Sequence, residues 1–356
     1  MGAEPGSPLT PLARFSPSTV NALASCPLRV GFIRAGRAAG RPSPFTALGN
    51  VAHAMHEMGW HGAFAGIPPA EIESTLSLAW DRLCSEQCSN LKAAAFGAEV
   101  PPEPPEWPGY ELTRTRTLRR VKGLCGPTAV TAGAGWVKSE LSLHDDATGL
   151  EGRIDRLQRR GGELRIIDLK SGVWQGEMSP EQRRQLLLYA ALVRASLGEW
   201  ADVLVIETAA GRETRIDVDR REVENALVEA RRLVENFNRA AESGWAELEK
   251  LAQPSDDTCR RCPARLPCEP YWMALTSDWR FHGSARGKLA ERLESGDLIA
   301  VAISTESPRD RKGARTLIYR VADPGELGGT LAVVGAEQRG EPGTLRVRWD
   351  TQMLIC

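Results

Sequence analysis

The chain has 356 residues, 42% of them hydrophobic and 26% charged, and a formal net charge of −1 at pH 7. That length accommodates two domains, or one large domain with an appendage, and the composition is globular. A globally basic nucleic-acid binder is excluded, so a polyanionic partner would be held by a local patch.

No apolar run is long enough to span a bilayer, and the first residues lack the basic-then-apolar pattern of a secretion signal. A cytoplasmic protein without a membrane partner is expected. Its eight cysteines are then read as including metal ligands rather than as a disulfide framework.

Residues 1–14, rich in Pro, Gly and Ala, are expected to be a loose tail. Ser16-Pro17 then starts a short helix, with the proline at the first helical position, and Cys26-Pro27 falls near its end. Cys26 reads from its own surroundings as buried packing. After a Gly/Pro/Arg-rich loop (35–44), residues 45–58 carry Leu48, Val51, Ala52 and Met55 at helical spacing. Gly49 and His53, four apart, share a face of that helix. A long helix is expected over 69–96, with Cys84 and Cys88 one turn apart. A proline-rich loop follows at 100–109. Arg114, Arg116, Arg119, Arg120 and Lys122 come next, with Arg114 and Arg116 alternating as on a strand face. The run reads equally as a solvated surface or as a phosphate-contacting patch.

The strongest pattern lies at 149–172. Two strand-like runs flank Gly161-Gly162, a hairpin-turn dipeptide. With the turn at that pair, Arg160 faces Glu163 and Asp155 faces Asp168, and Lys170 shares their side. Like charges directly opposite are destabilising, so this face is either a solvated polar surface or a divalent-metal site. The preceding strand, Trp136 to Leu143, brings Glu140 as a third carboxylate.

After the hairpin, Ser179-Pro180-Glu181-Gln182 is a capping box opening a helix that carries Gln185 and Tyr189 one turn apart. Val203-Leu204-Val205-Ile206 is a buried-strand run, and 219–250 a long amphipathic helix. Cys259, Cys262 and Cys268 then form a Cys-x2-Cys-x5-Cys triplet. Tetrahedral thiolate centres use four ligands, so a fourth cysteine must come from a distance, and Cys26 is available. Residues 275–356 read as a small β-rich module, for which a barrel of the OB type is one form. A short helix is expected from Ala285 to Glu294, then strands over 298–304, 316–321, 330–334 and 345–349. Trp279, Phe281, Tyr319 and Trp349 are either core residues of this module or base-stacking platforms.

Taken together, these residues resemble the PD-(D/E)XK nuclease superfamily, and within it the RecB-like nucleases with an iron–sulfur cluster, such as the AddB nuclease domain and the CRISPR adaptation nucleases. The matching pieces, in order, are Ser16-Pro17-Ser18 through Cys26-Pro27, Gly49 with His53, Gly152-Arg153-Ile154-Asp155, Asp168-Leu169-Lys170-Ser171-Gly172, Gln185 with Tyr189, and Cys259, Cys262 and Cys268. The resemblance implies an α/β fold with a restriction-endonuclease-like core, a central mixed sheet flanked by helices, over residues 15–274. It implies Mg²⁺ or Mn²⁺ on Asp155 and Asp168 with His53 as a further ligand, Lys170 beside the attacking water, and Gln185 and Tyr189 orienting the site. It also implies a 4Fe–4S cluster on Cys26, Cys259, Cys262 and Cys268. The activity implied is a metal-dependent deoxyribonuclease, an exonuclease or end-processing enzyme of repair, recombination or anti-phage defence, with a helicase or defence-complex subunit as a separate chain. A catalytically silent nucleic-acid-binding subunit of the same fold is the alternative.

Overall fold

The computed structural model describes residues 9–38, 43–95, 100–125, 135–170, 177–208, 211–279, 283–295, 298–321, 326–340 and 343–355. The expected positions Ser171, Gly172 and Phe281 lie outside them.

The chain opens with two short helices, α1 (Pro17–Ser25) and α2 (Pro27–Arg34). The Ser16 hydroxyl caps α1 by accepting from the Thr19 amide, as its Ser-Pro start predicts. Cys26 ends one helix and begins the next, because Pro27 cannot continue α1 but suits the first position of α2. Helix α3 (Pro44–Trp60) is capped by Ser43 and buries the predicted stripe Leu48, Val51, Ala52 and Met55. Helices α4 (Ile72–Ala94) and α5 (Tyr110–Leu124) pack against it around Trp80 and Trp107.

Helix α5 corrects the expectation of a strand at Arg114–Arg116. The Thr/Arg alternation imitates a period of two, but Tyr110, Thr117 and Val121 are the buried positions, and their spacing is helical. On a helix Arg114 and Arg116 point to nearly opposite sides, so the four arginines form no single face.

Five strands follow as one mixed sheet in the order β1-β2-β3-β4-β5: β1 (Trp136–Asp145), β2 (Leu150–Arg160), β3 (Glu163–Lys170), β4 (Val203–Thr208) and β5 (Glu213–Asp217). The β2–β3 hairpin turns at Gly161-Gly162, with φ of 58° and 88°, the left-handed pair that a two-residue turn requires. Its ladder runs from Arg160–Glu163 to Arg156–Ile167, which is the register predicted from the turn. Helix α6 (Pro180–Leu197) crosses between β3 and β4, so those two strands are parallel. Its capping box is formed in both directions between Ser179 and Gln182. Helix α7 (Arg220–Ser243) buries Val223, Ala226, Ala230, Val234, Phe237 and Ala241, and Gly244 separates it from α8 (Trp245–Glu249). Helices α1, α2, α6 and α7 share one core with Ile166, Leu204 and Ile206 of the sheet.

Two short helices, α9 (Asp256–Cys259) and α10 (Glu269–Ala274), bracket the cysteine triplet. Beyond them lies a second sheet of seven strands: β6 (Ala285–Ser295), β7 (Leu298–Ser307), β8 (Arg315–Tyr319), β9 (Thr330–Val334), β10 (Glu337–Gln338), β11 (Thr344–Arg346) and β12 (Gln352–Ile355). Its order is β10-β11-β8-β7-β6-β9-β12, so among the described residues it is an open sheet rather than a closed barrel.

The helix expected at 285–294 is β6. It is rich in helix formers, but it pairs with β7 along one side and β9 along the other, and this pairing overrides local preference. Of the module's aromatics, Trp349 is buried in the α3–α5 core and Trp279 packs on Tyr271, which makes both structural; Tyr319 is exposed. Among the described residues no helix is long and apolar enough to cross a membrane.

Candidate active site

The three central carboxylates come from three neighbouring strands at one level of the sheet. Pairs Ser139–Arg156 and Leu141–Ile154 flank Glu140 and Asp155, which oppose each other but form no ladder pair. Glu140 has φ 51°, a left-handed conformation rarely adopted by a residue with a side chain. On the other side of β2 the ladder also stops short of Asp155. There the Leu169 amide donates to the Asp155 carboxylate at 2.8 Å. The regular hydrogen bonding of the sheet thus opens on both sides of Asp155.

His53 reaches this point from the middle of α3. His53, Glu140 and Asp155 each offer a ligand atom within 4.8 Å of the others, and all three are partly buried. This is a donor set of one imidazole and two carboxylates, suited to a hard divalent cation with room left for water or phosphate oxygens. Arg153 pairs with Glu140 at 2.5 Å. Burial and the neighbouring Asp155 push the Glu140 carboxyl above its usual range.

Asp168 lies beside this trio but is held differently. It is 5% exposed, its Oδ2 lies 2.6 Å from Lys170 Nζ, and its Oδ1 accepts from Gln185 Nε2 at 3.2 Å. Burial raises its carboxyl, opposed by the Lys170 charge. Gln185 also donates to the Tyr189 hydroxyl at 3.3 Å, and burial pushes that phenol up to about 12. Gly152 lets α6 come this close: a Cβ there would lie 2.9 Å from the Tyr189 ring. The structure therefore brings together His53, Glu140, Asp155, Asp168, Lys170, Gln185 and Tyr189. It differs from the expected ligand set in one respect. Glu140 joins His53 and Asp155, while Asp168 is ion-paired to Lys170.

A second site lies about the cysteines. Cys26, Cys259, Cys262 and Cys268 line one small cavity with Arg29, Phe32, Arg265 and Tyr271. Burial pushes the Cys259 thiol up to about 11 and the Cys268 thiol up to about 12, and raises Cys262. Among the described residues no three of these sulfurs lie within 4.8 Å of one another. Cys84, Cys88 and Cys125 belong to the α3–α5 core instead.

The arginine patch is dispersed. Arg120 donates to Glu207 at 2.5 Å and Arg114 to the Ser77 hydroxyl at 3.0 Å, while Arg119 is exposed and Arg116 half-buried. Glu207 is fully buried and also binds Arg156. Sequence reasoning missed this trio, although a glutamate closing the apolar run Val203–Ile206 was its signal.

The family model for the PD-(D/E)XK nuclease superfamily matches residues 14–269. No curated protein is matched.

Proposed function

The chain belongs to the PD-(D/E)XK nuclease superfamily, whose members are phosphodiester-hydrolysing nucleases that use divalent metals, and on that premise we propose that it is a RecB-like deoxyribonuclease with an iron–sulfur clasp. The observation that carries this reading is the convergence of His53, Glu140 and Asp155 beside the Asp168–Lys170 pair.

In this reading His53, Asp155 and Asp168, with Glu140 as auxiliary, hold Mg²⁺ or Mn²⁺. The metal would polarise a phosphoryl oxygen and acidify a coordinated water. Lys170, 2.6 Å from the Asp168 carboxylate, would stand beside the attacking water. Gln185 fixes the Asp168 carboxylate by donating to it, and the Tyr189 phenol, kept protonated by burial, holds Gln185 in turn. Cys26, Cys259, Cys262 and Cys268 hold a 4Fe–4S cluster whose role is structural, tying α1–α2 to the segment after α8. Such thiolate ligation fits a reducing cytoplasm. The natural substrate is DNA with unpaired or processed ends, in repair, recombination or defence, alongside a separate helicase or defence subunit.

Cleavage of end-labelled single- and double-stranded DNA with Mg²⁺ or Mn²⁺ tests this, with Asp168→Ala as comparator. Loss of at least about a thousandfold in the variant is expected, on the scale of removing a charge-stabilising group from a metal site. Equal cleavage by both proteins overturns the assignment, and binding without cleavage by either leaves the silent nucleic-acid-binding subunit.

A further inference from the structure

A cavity of about 740 Å³ opens between the end of α3, the turn after it, and the sheet. Trp60 and Phe64 contribute aromatic wall, and Arg120, Arg156, Arg160 and Glu213 are its charged lining. The volume is that of a ligand pocket.

Three elements lead to it from the His53–Glu140–Asp155 group. On α3, Trp60 follows His53 by seven residues, two turns along the same face, or about 10 Å. On β1, the cavity residue Val137 precedes Glu140 by three positions; on β2, the cavity residue Gln158 follows Asp155 by three. Each of those steps is again about 10 Å. The lining on β2 also includes Arg156, directly after Asp155, and Arg160, five residues on, so the cavity begins beside the group and extends away from it.

The lining carries three cations, Arg120, Arg156 and Arg160, and one anion, Glu213; Arg120 and Arg156 also share the buried carboxylate Glu207, and Arg160 is exposed. Arg156 is 6% exposed; its Nε, the Arg120 Nε and the Trp60 indole N–H are buried and have no hydrogen-bond partner among the described residues. The lining sets guanidinium cations beside aromatic surface, which matches the anionic, π-faced chemistry of a nucleotide.

We propose that this cavity holds nucleotides of an unpaired strand next to the phosphate that is cleaved. The nature of the ligand rests on the nuclease reading of the neighbouring group. A duplex keeps its bases paired inside and cannot place one against Trp60 without unpairing.

Binding of labelled oligodeoxythymidylate, oligouridylate and a blunt DNA duplex, read by anisotropy with EDTA to stop cleavage, tests this. Two exposed positions are changed: Arg160→Glu reverses a rim charge, and Val137→Trp fills the cavity from the edge strand. Each should weaken single-strand binding about tenfold and leave duplex binding within about twofold. Single-strand affinity unchanged in both variants overturns the proposal, as does an equal loss for strand and duplex. If the protein cleaves nothing yet both variants lose the strand, the nuclease reading fails and the cavity assignment stands. If it cleaves DNA and both variants bind normally, the reverse holds.

Discussion

Glu207 is the residue on which the interior beside the site depends most. It ends the apolar run of β4, is 0% exposed, and accepts from Arg120 at 2.5 Å and from Arg156. The Arg156 guanidinium also lies 4.9 Å from the Trp60 ring centroid. In Glu207→Ala two guanidiniums lose their shared counter-charge. Arg120, about a third exposed, can turn to water; Arg156, with 7% of its side chain exposed, cannot. Breaking a buried pair by removing one partner costs about 3–5 kcal/mol. Because one of the two cations can escape, about 3 kcal/mol is expected here. Replacing both Arg156 and Glu207 by Leu removes the uncompensated charge and should cost only about 1 kcal/mol. Urea denaturation of the three proteins measures both values. A Glu207→Ala loss below about 1 kcal/mol, or a double variant as unstable as the single one, would refute the view that uncompensated buried charge sets the cost.

Two more outcomes follow from buried groups. His56 is fully buried, and burial lowers its imidazole to about 4 from 6.5. A depressed value means the fold favours the neutral ring, so its contribution is complete above pH 6.5 and is lost as pH falls toward 4. The full loss is about 3 kcal/mol at 1.36 kcal/mol per pH unit. Stability curves of His56→Leu should be correspondingly flatter between those limits, and an unchanged slope would exclude His56 as the cause. Purified protein should absorb near about 400 nm through iron–thiolate–sulfide bonds. Cys26→Ala should lose that band while Cys84→Ala, whose sulfur lies in another core, keeps it. A colourless zinc-containing protein would refute the cluster.

Local chemistry made the centre of the fold readable. The two glycines at 161–162 fix the β2–β3 turn, and the turn fixes the register from Arg160–Glu163 to Arg156–Ile167, one step short of Asp155 and Asp168. The Ser179–Gln182 box likewise marks the start of α6, and with it the placing of Gln185 and Tyr189. What stayed hidden depends on partners distant in sequence. Strand β6 is made of helix formers and extends only because β7 and β9 flank it. Helix α5 hides behind a Thr/Arg alternation, and Arg120 read as a surface charge because Glu207 lies 87 residues away. The left-handed turn of the backbone at Glu140, which brings that carboxylate to His53, has no local sequence signal such as a glycine.

The first helices are sealed by the last part of the superfamily domain. Leu23 and Leu28 are fully buried, Phe32 packs on Trp245 with ring centroids 5.2 Å apart, and Asn238 holds Leu12 by two backbone hydrogen bonds. During synthesis Leu12 and Phe32 emerge more than 200 residues before Asn238 and Trp245, which pack on them. At about 5–20 residues per second the wait lasts roughly 10–45 s. For that interval the Phe32 face of α2 lacks the aromatic partner that covers it in the folded domain. The domain can close only when its own C-terminal side has been made, so a transcript truncated before α7 yields a chain with its beginning still open.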